Sequence, residues 1–449
     1  MFVFDEQMTE LVFEYCRDRL SVDPVPLGFG GAGKTFDAAL DGLITAGGAR
    51  PDDVLQFFVA SLATAVVSCD SPRFLSFIPV APSKAASLFD MLVSCCSLKG
   101  TSWLGSAGLV AAENQALRLL ADLAEFPPDA GGCFVSGGSM GNLSALVVAR
   151  DMGARHRPGG SPARPLVAIS TEAHSSVVKA LHIIGVDPLL VPADGHRLTG
   201  EVLRSALSTH PRAEDVVAVV ATAGTTNAGI IDDLAGIAQV ARDRGLWFHV
   251  DAAYGGAGLF ARALRDRFRG IELADSFVVD PHKWLFAPVD CAALLYREPW
   301  LAKAVHRQHA DYEDVLHDDA DGTWNPSDYA FHLTRRARGL PLWFSLAVNG
   351  TDAYRDAVET ALATAQATAD VIDRVPHLEL LRRPELSVVL FRRIGWDRAT
   401  YDRWSARLLE TQTGFVTPTT WEGKPAARLA FVHPHTTVEM VEEILATMA

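Results

Sequence analysis

Five short runs in the middle of the chain, "GCFVS", "PLVAIS", "DVVAVVATA", "LWFHVDA" and "SFVVD", constrain the fold more than any other feature of the sequence. Each is almost continuously apolar, and stretches of amphipathic, helical period separate them. Strands of this kind have no polar face to offer water, so they belong in a parallel sheet covered by helices on both sides. An α/β domain is therefore expected from about residue 130. After "LTRRARGLPLWFSLAVNG" the pattern predicts a long helix through about residue 375, the strands "LSVVLFRR" and "AARLAFVH", and a closing amphipathic helix in "TVEMVEEILATM". That is a smaller α+β lobe. Before the sheet, residues 8–20 and 54–68 carry apolar positions at helical spacing, joined through "GFGGAGK". The glycine-rich segment reads as a link between helices, because no β-branched strand precedes it and no long helix leaves its lysine, as a phosphate loop requires.

Composition narrows the function classes. The chain has 449 residues, 49% hydrophobic and 21% charged, which suits a folded protein of two lobes. A net charge of −14 argues against nucleic acid or an anionic membrane as partner, since clustered Lys and Arg drive such binding. Small molecules are the expected partners. Cys16, Cys69, Cys95, Cys96, Cys133 and Cys291 lie in mostly apolar segments without CxxC spacing and are expected to be reduced core residues. No metal site is expected. The first twenty residues mix acids among apolar positions and lack a basic start followed by a long apolar block, unlike a signal peptide. The stretch "VLQFFVASLATAVVSCD" is short for a membrane span and carries Gln, Ser and Thr, so a cytoplasmic location is expected.

The chemistry-bearing residues sit where the predicted strands end, and in a parallel sheet those ends share one edge. In "FVSGGSMGNLSALVVAR" a strand runs through Gly137 and Gly138 into a helix whose first N–H groups suit an anion, with the Ser139 hydroxyl beside them. "STEAHSSVVKA" puts His174 at a strand mouth, where it serves as a cap or as a ligand contact. Thr222 closes "DVVAVVATA", with further hydroxyls that could equally cap the next helix. Asp251 ends "LWFHVDA", and a buried carboxylate there needs a cation. In "FVVDPHKWLF" Lys283 follows a strand end directly; partly desolvated, its ammonium form is disfavoured and its amine is available for a Schiff base. A phosphate cradle, a carboxylate for a pyridine nitrogen, a flat partner for a ring and an amine for an aldehyde together fit pyridoxal 5′-phosphate (PLP).

On these motifs, with "PRFLSFIP", "HVDAAY", "DPHKW" and "LTRRARGLPLW", the chain resembles the group II PLP-dependent amino-acid decarboxylases from about residue 72 to its C-terminus. The resemblance implies fold type I, the aspartate-aminotransferase-like fold, and a homodimer with active sites at the subunit interface. It divides the chain into an N-terminal helical dimerisation segment (1–70), a large PLP-binding domain (71–338) and a small C-terminal domain (339–449). It implies Lys283 as the Schiff-base lysine, Asp251 as partner of the pyridine nitrogen, Ala253 against one ring face and His174 against the other, and Thr222 nearby. Gly138, Ser139, Asn142 and His282 match the phosphate cradle, with Asp280 as a neighbour. Arg335 and Arg336 match a pair of arginines before the small lobe, at least one of them structural.

The sequence departs from this family at two places. Cys69 and Asp70 stand where the aromatic decarboxylases carry Trp and His, and Phe77, Ile78 and Val80 occupy the next substrate-pocket positions. Asp70 adds a possible acceptor for a polar or cationic substrate group, and an aromatic substrate is not expected. Near the position of the family's loop tyrosine, a proton donor, stands Pro326, with Tyr312, Trp324 and Tyr329 as the nearby aromatics. The expected activity is a PLP-dependent carboxy-lyase acting on an amino acid. The alternatives are decarboxylation coupled to oxidative deamination, giving an aldehyde, elimination from a cysteine-like conjugate, and a non-catalytic relative.

Overall fold

The computed structural model describes residues 3–30, 36–153, 162–308 and 323–449; part of the "GFGGAGK" link and Tyr312 fall outside the described residues. Seven strands form the central sheet: β1 (Gly131–Val135), β2 (Leu166–Ser170), β3 (Asp187–Val191), β4 (Val216–Thr222), β5 (Trp247–Asp251), β6 (Ser276–Val279) and β7 (Ala292–Tyr296). Their order across the sheet is β1-β7-β6-β5-β4-β2-β3, with β7 antiparallel to both neighbours and the remaining pairs parallel. In β4 every residue is buried, and successive side chains enter opposite cores. Val219 and Ala221 join one apolar cluster, while Ala218 and Val220 join the other. That alternation is why the run needs no polar face.

The helices that cover the sheet start and stop on local signals. Asp233 caps the helix Leu234–Arg244 by accepting from Gly236 N, and Gly245 ends it at φ 62°, a left-handed conformation that costs glycine least. Thr199 caps Gly200–Thr209 in the same way. A second sheet holds β8 (Leu378–Arg382), β9 (Val388–Arg393), β10 (Pro418–Trp421) and β11 (Lys424–Ala430) in the antiparallel order β10-β11-β9-β8. The long helix Leu340–Arg374 leads into it, broken at Gly350, whose φ of 78° and ψ of 161° are not helical. The expected helix is thus two segments joined by a glycine hinge.

The expected strands correspond to β1, β2, β4, β5, β6, β9 and β11, while the fully buried β7 and the edge strands β3, β8 and β10 were not expected. β3, β8 and β10 each leave residues partly or fully exposed, so their apolar runs are interrupted and look like loops. The cysteine expectation holds for Cys133 and Cys291 alone; Cys16 is half-buried, and Cys69, Cys95 and Cys96 are exposed on this chain. Among the described residues no helix is long and apolar enough to cross a membrane.

Arg335 and Arg336 of "LTRRARG" fasten the sheet domain to its flanking helices. Arg335 is 1% exposed and forms a two-pronged pair with Glu113, itself 2% exposed, each N–O contact being 2.7 Å. Glu113 also accepts from Gly339 N at 2.8 Å, tying the helix Trp103–Leu123 to the start of the long helix. Arg336 reaches the Asp90 carboxylate and Ser94 on the helix Lys84–Cys95. Removing one partner of a buried pair strands the other charge, at a cost of about 3–5 kcal/mol. Glu113→Ala should therefore lower the denaturation midpoint sharply, whereas Asp90→Ala, at a half-exposed pair, should shift it little; equal shifts in a urea titration would contradict this account.

Candidate active site

Three neighbouring strands deliver their last residues to one edge. Register sets Thr222 opposite Asp251 and Asp251 opposite Val278, so the ends of β4, β5 and β6 lie side by side, with Asp280 one residue beyond β6. Asp280 precedes the single helical turn Pro281–Trp284, which carries His282 and Lys283 back over the strand ends. From the other side comes the helix Gly138–Met152, whose N-cap, Gly137, supplies no side-chain cap. Its opening amides are available to an anion. The resulting cleft, of about 560 Å³, is lined by Gly138, Ser139, Asn142, His174, Thr222, Asp251, Ala253, Asp280, His282 and Lys283 among others. Every residue singled out above for the cofactor thus reaches a single cavity.

The packing leaves room for a group rather than for side chains. A Cβ added at Gly138 would lie 3.0 Å from the Ala253 methyl and 3.0 and 3.1 Å from the Asp280 oxygens. Asp280 is 2% exposed, and its Oδ1 has no hydrogen-bond partner. His282 stands beside Gly137 with its Nδ1 accepting from Cys291 N at 3.0 Å. An uncapped helix start, a crevice that admits only glycine, an amine and a buried carboxylate around one cavity are chemically matched to PLP.

The charges differ from the expectation in one respect. Burial pushes Lys283 toward the neutral amine, but the Asp280 carboxylate, with Oδ2 2.9 Å from Nζ, and the more distant Asp251 outweigh it and raise the ammonium pKa. Without the cofactor the lysine is held as a cation. Asp251 is itself fixed from two sides, by Asn142 Nδ2 at 2.9 Å on Oδ2 and by Ala253 N at 3.1 Å on Oδ1. Asn142 therefore serves the carboxylate rather than the phosphate cradle, although it lies one turn from Ser139. His174 is both cap and cavity wall: its Nδ1 accepts from Ser176 N, and its ring lines the cleft.

The substrate-pocket candidates do not stay together. Asp70 is held by Arg19 through two contacts, of 2.9 and 2.8 Å, and lines a separate pocket with His433 and Tyr354, so it is not a free acceptor beside this cleft. Phe77 is exposed, with a φ of 53° that strains an aromatic residue, and its carbonyl accepts from Arg428, which also bonds the carbonyl of the cleft residue Thr226. Ile78 and Val80 follow it, both half-buried. Tyr329 is 4% exposed, stacked on Trp324 at 4.2 Å between centroids, and burial pushes its hydroxyl pKa up. It belongs to the core. Pro326 opens a short buried turn just before it. The sequence reading gave no role to His249, Ser176 or Ser276, which bond to this group; the available signal was a histidine inside an otherwise apolar strand.

The Pyridoxal-dependent decarboxylase conserved domain matches residues 47–394. The chain belongs to that family. It is 30% identical to the aromatic-L-amino-acid decarboxylase of Bacillus atrophaeus over 410 residues, covering 89% of this chain and 85% of that protein. It is 33% identical to the L-2,4-diaminobutyrate decarboxylase of Rhizobium meliloti (strain 1021) over 383 residues, covering 82% and 74%. The crystal structure of Oryza sativa TDC with PLP and tryptamine superimposes with a TM-score of 0.91 at 24% identity, covering 99% of each chain, so the fold is that of the fold type I PLP enzymes. This decarboxylase family member is thus a PLP-dependent carboxy-lyase of amino-acid metabolism.

The Asp280–Lys283 contact has a direct test. Asp280→Asn removes the opposing charge and leaves burial to dominate, so the Lys283 pKa should fall, each unit giving about ten times more free amine at neutral pH. Acylation of Lys283 in cofactor-free protein, followed by peptide mapping across pH, should show the midpoint moving down; an unmoved midpoint would mean that Asp280 does not hold the cation.

Proposed function

We propose that this decarboxylase family member carries PLP on Lys283 and converts an amino acid to its amine and CO₂, with Asp251 facing the pyridine nitrogen. The observation that carries the reading is the convergence of the Lys283 amine and the Asp251 carboxylate on one cleft that also holds His174 and an uncapped helix start. When bound, the cofactor supplies the electron sink for the bond broken on loss of CO₂. The protein does the rest. Asp251, held by Asn142 and Ala253 N, keeps a negative charge where the ring nitrogen must stay protonated. Gly138, Ser139 and His282 receive the phosphate, while Ala253 and His174 take opposite faces of the ring. Thr222 lies beside them, and Asp280 takes up the Lys283 cation whenever substrate displaces it.

The functional unit we propose is a cytoplasmic homodimer whose site is completed by the partner. Support comes from helix Glu6–Ser21 and helix Pro51–Phe57, which bury no residue on this chain and expose Val12, Phe13 and Val54. Residues 1–70 are the segment that pairs with the second copy, 71–338 hold the cofactor and 339–449 form the small domain. Phe77, followed by Ile78 and Val80, is tied through Arg428 to the cleft residue Thr226, and we take the substrate that enters there to be an aliphatic or polar amino acid rather than an aromatic one.

Borohydride reduction of the loaded enzyme should leave pyridoxyl on Lys283; a label on Lys179 instead would overturn the assignment. Asp251→Asn should cost ~10²-fold or more in rate while leaving the melting temperature near that of the wild type, and unchanged turnover would make the carboxylate merely structural.

A second reading rests on the burial of Tyr329. With that hydroxyl packed in the core and Pro326 in the adjoining turn, none of the described residues 323–332 lines the cleft to protonate the carbon that loses CO₂. Oxygen and water would then be consumed to give aldehyde, ammonia and hydrogen peroxide besides CO₂. A panel of amino acids assayed for CO₂, oxygen uptake and peroxide separates the outcomes. We expect amine as the main product, oxygen-dependent aldehyde as a side product, and slow turnover of tryptophan and tyrosine. Stoichiometric amine without oxygen uptake would reject the side reaction, and fast release of tryptamine or tyramine would reject the substrate class.

A further inference from the structure

A row of polar groups lies beneath the cleft, inside a core that is otherwise apolar. Strand β5 alternates faces, so Phe248 and Val250 enter one core while Trp247, His249 and Asp251 project to the other side, under the helix Gly138–Met152 that carries Asn142. His249 and Ser276 are 0% exposed, Asn142 1% and Asp251 5%. Register pairs His249 with Ser276 across β5 and β6. Four such groups in a core are costly unless each donor meets an acceptor.

Only one arrangement of protons meets that condition. Asp251 accepts only, so the Asn142 amide must turn its NH₂ to the carboxylate, at 2.9 Å, and its second N–H then reaches Ser176 Oγ at 3.2 Å. Asn142 Oδ1 consequently faces His249 Nε2 at 3.0 Å and needs a donor there, which puts the His249 proton on Nε2. His249 Nδ1 is then an acceptor, 2.8 Å from Ser276 Oγ, so the serine hydroxyl donates to it. Ser276 Oγ in turn accepts from Trp247 Nε1, a donor only, at 3.0 Å. On the other arm Ser176 Oγ, already accepting from Asn142, donates to His174 Nδ1 at 2.8 Å, which also accepts from Ser176 N at 3.2 Å. His174 must therefore carry its proton on Nε2. Burial, against the pull of Asp251, lowers His249 to about 4, so it stays neutral at working pH.

We propose that Trp247, Ser276, His249 and Asn142 form one polarised hydrogen-bond chain that fixes the aim of the Asp251 carboxylate and the protonated nitrogen of His174 together. His249 and Ser276 are positioning residues in this arrangement: neither lines the cleft, and both act through Asn142. The chain joins the carboxylate at one end of the site to the histidine at its mouth, so disturbing one disturbs the other. The inference rests on the reading that Asp251 and His174 face the cofactor, and goes beyond it by assigning what orients them.

The test is ¹⁵N NMR of full-length enzyme labelled in its histidine rings, with and without PLP, using His174→Gln and His249→Gln spectra for assignment. Both rings should show a single neutral form with the proton on Nε2. In His249→Phe, Asn142 loses its donor and can turn; His174 should become a tautomer mixture, the visible circular dichroism of bound PLP should change, and the rate should fall by ~10–10²-fold. His249→Gln, whose amide can donate from near the Nε2 position, should recover part of the rate and of the dichroism. Should His249→Phe fail to fold, Ser276→Ala removes a single oxygen and should move the His174 tautomer the same way by less. A His174 tautomer and dichroism unchanged in the variants, or a His249 protonated on Nδ1 in the wild type, would overturn the proposal. If PLP fails to attach to Lys283, the reading of the site fails instead, and the tautomers, measurable without cofactor, judge the chain by itself.

Discussion

A carboxylate at the end of a buried strand imposes conditions on everything around it. Asp251 is 5% exposed, and keeping it charged in that setting requires compensating hydrogen bonds and, finally, a cation. The first helix after β1 supplies Asn142, and the chain immediately beyond β5 supplies Ala253 N. The parallel sheet makes this economical in parts, since β4, β5 and β6 bring their ends to the same edge without any long loop. The surrounding core then has to accept a polar row that a plain structural strand would fill with Val or Leu.

A second carboxylate governs the lysine. Asp280 and Lys283 are three residues apart on a single turn and meet at 2.9 Å, so the local fold of "DPHKW" alone is enough to bring them together. The turn opposes two tendencies: burial favours the amine, and Asp280 favours the cation. The balance falls on the side of the cation while no other group competes for the amine. The site is therefore asymmetric in charge, with one carboxylate held by neutral donors and the other by the lysine.

Much of the site was legible because its residues lie at strand ends with distinctive neighbours. Gly138, Asp251 and Lys283 could each be found from a short motif, since apolar runs reveal strands and strand ends in a parallel sheet share an edge. Edge strands β3, β8 and β10 were not legible, because partial exposure breaks the apolar pattern that betrays a buried strand. Asp70 was misplaced for a different reason. A sequence shows its charge but not that Arg19, fifty-one positions away, neutralises it outside the cleft. Tyr329 likewise stood out only as an aromatic near the position of the family's loop tyrosine, and stacking on Trp324 puts it in the core.

The sequence by itself determined the α/β class and the residues at the strand ends, because hydrophobic period and glycine placement act over a few neighbours and need no distant contact. Tertiary structure decided what each polar group faces. Asn142 might have met a phosphate, yet the crossing of its helix over β5 turns its amide to Asp251 and its oxygen to His249. Arg335 might have met a substrate, and instead lies in a dry pair with Glu113, 222 residues away in the chain. Hydrogen bonds and ion pairs depend on separations of about 3 Å, which only the packed chain fixes.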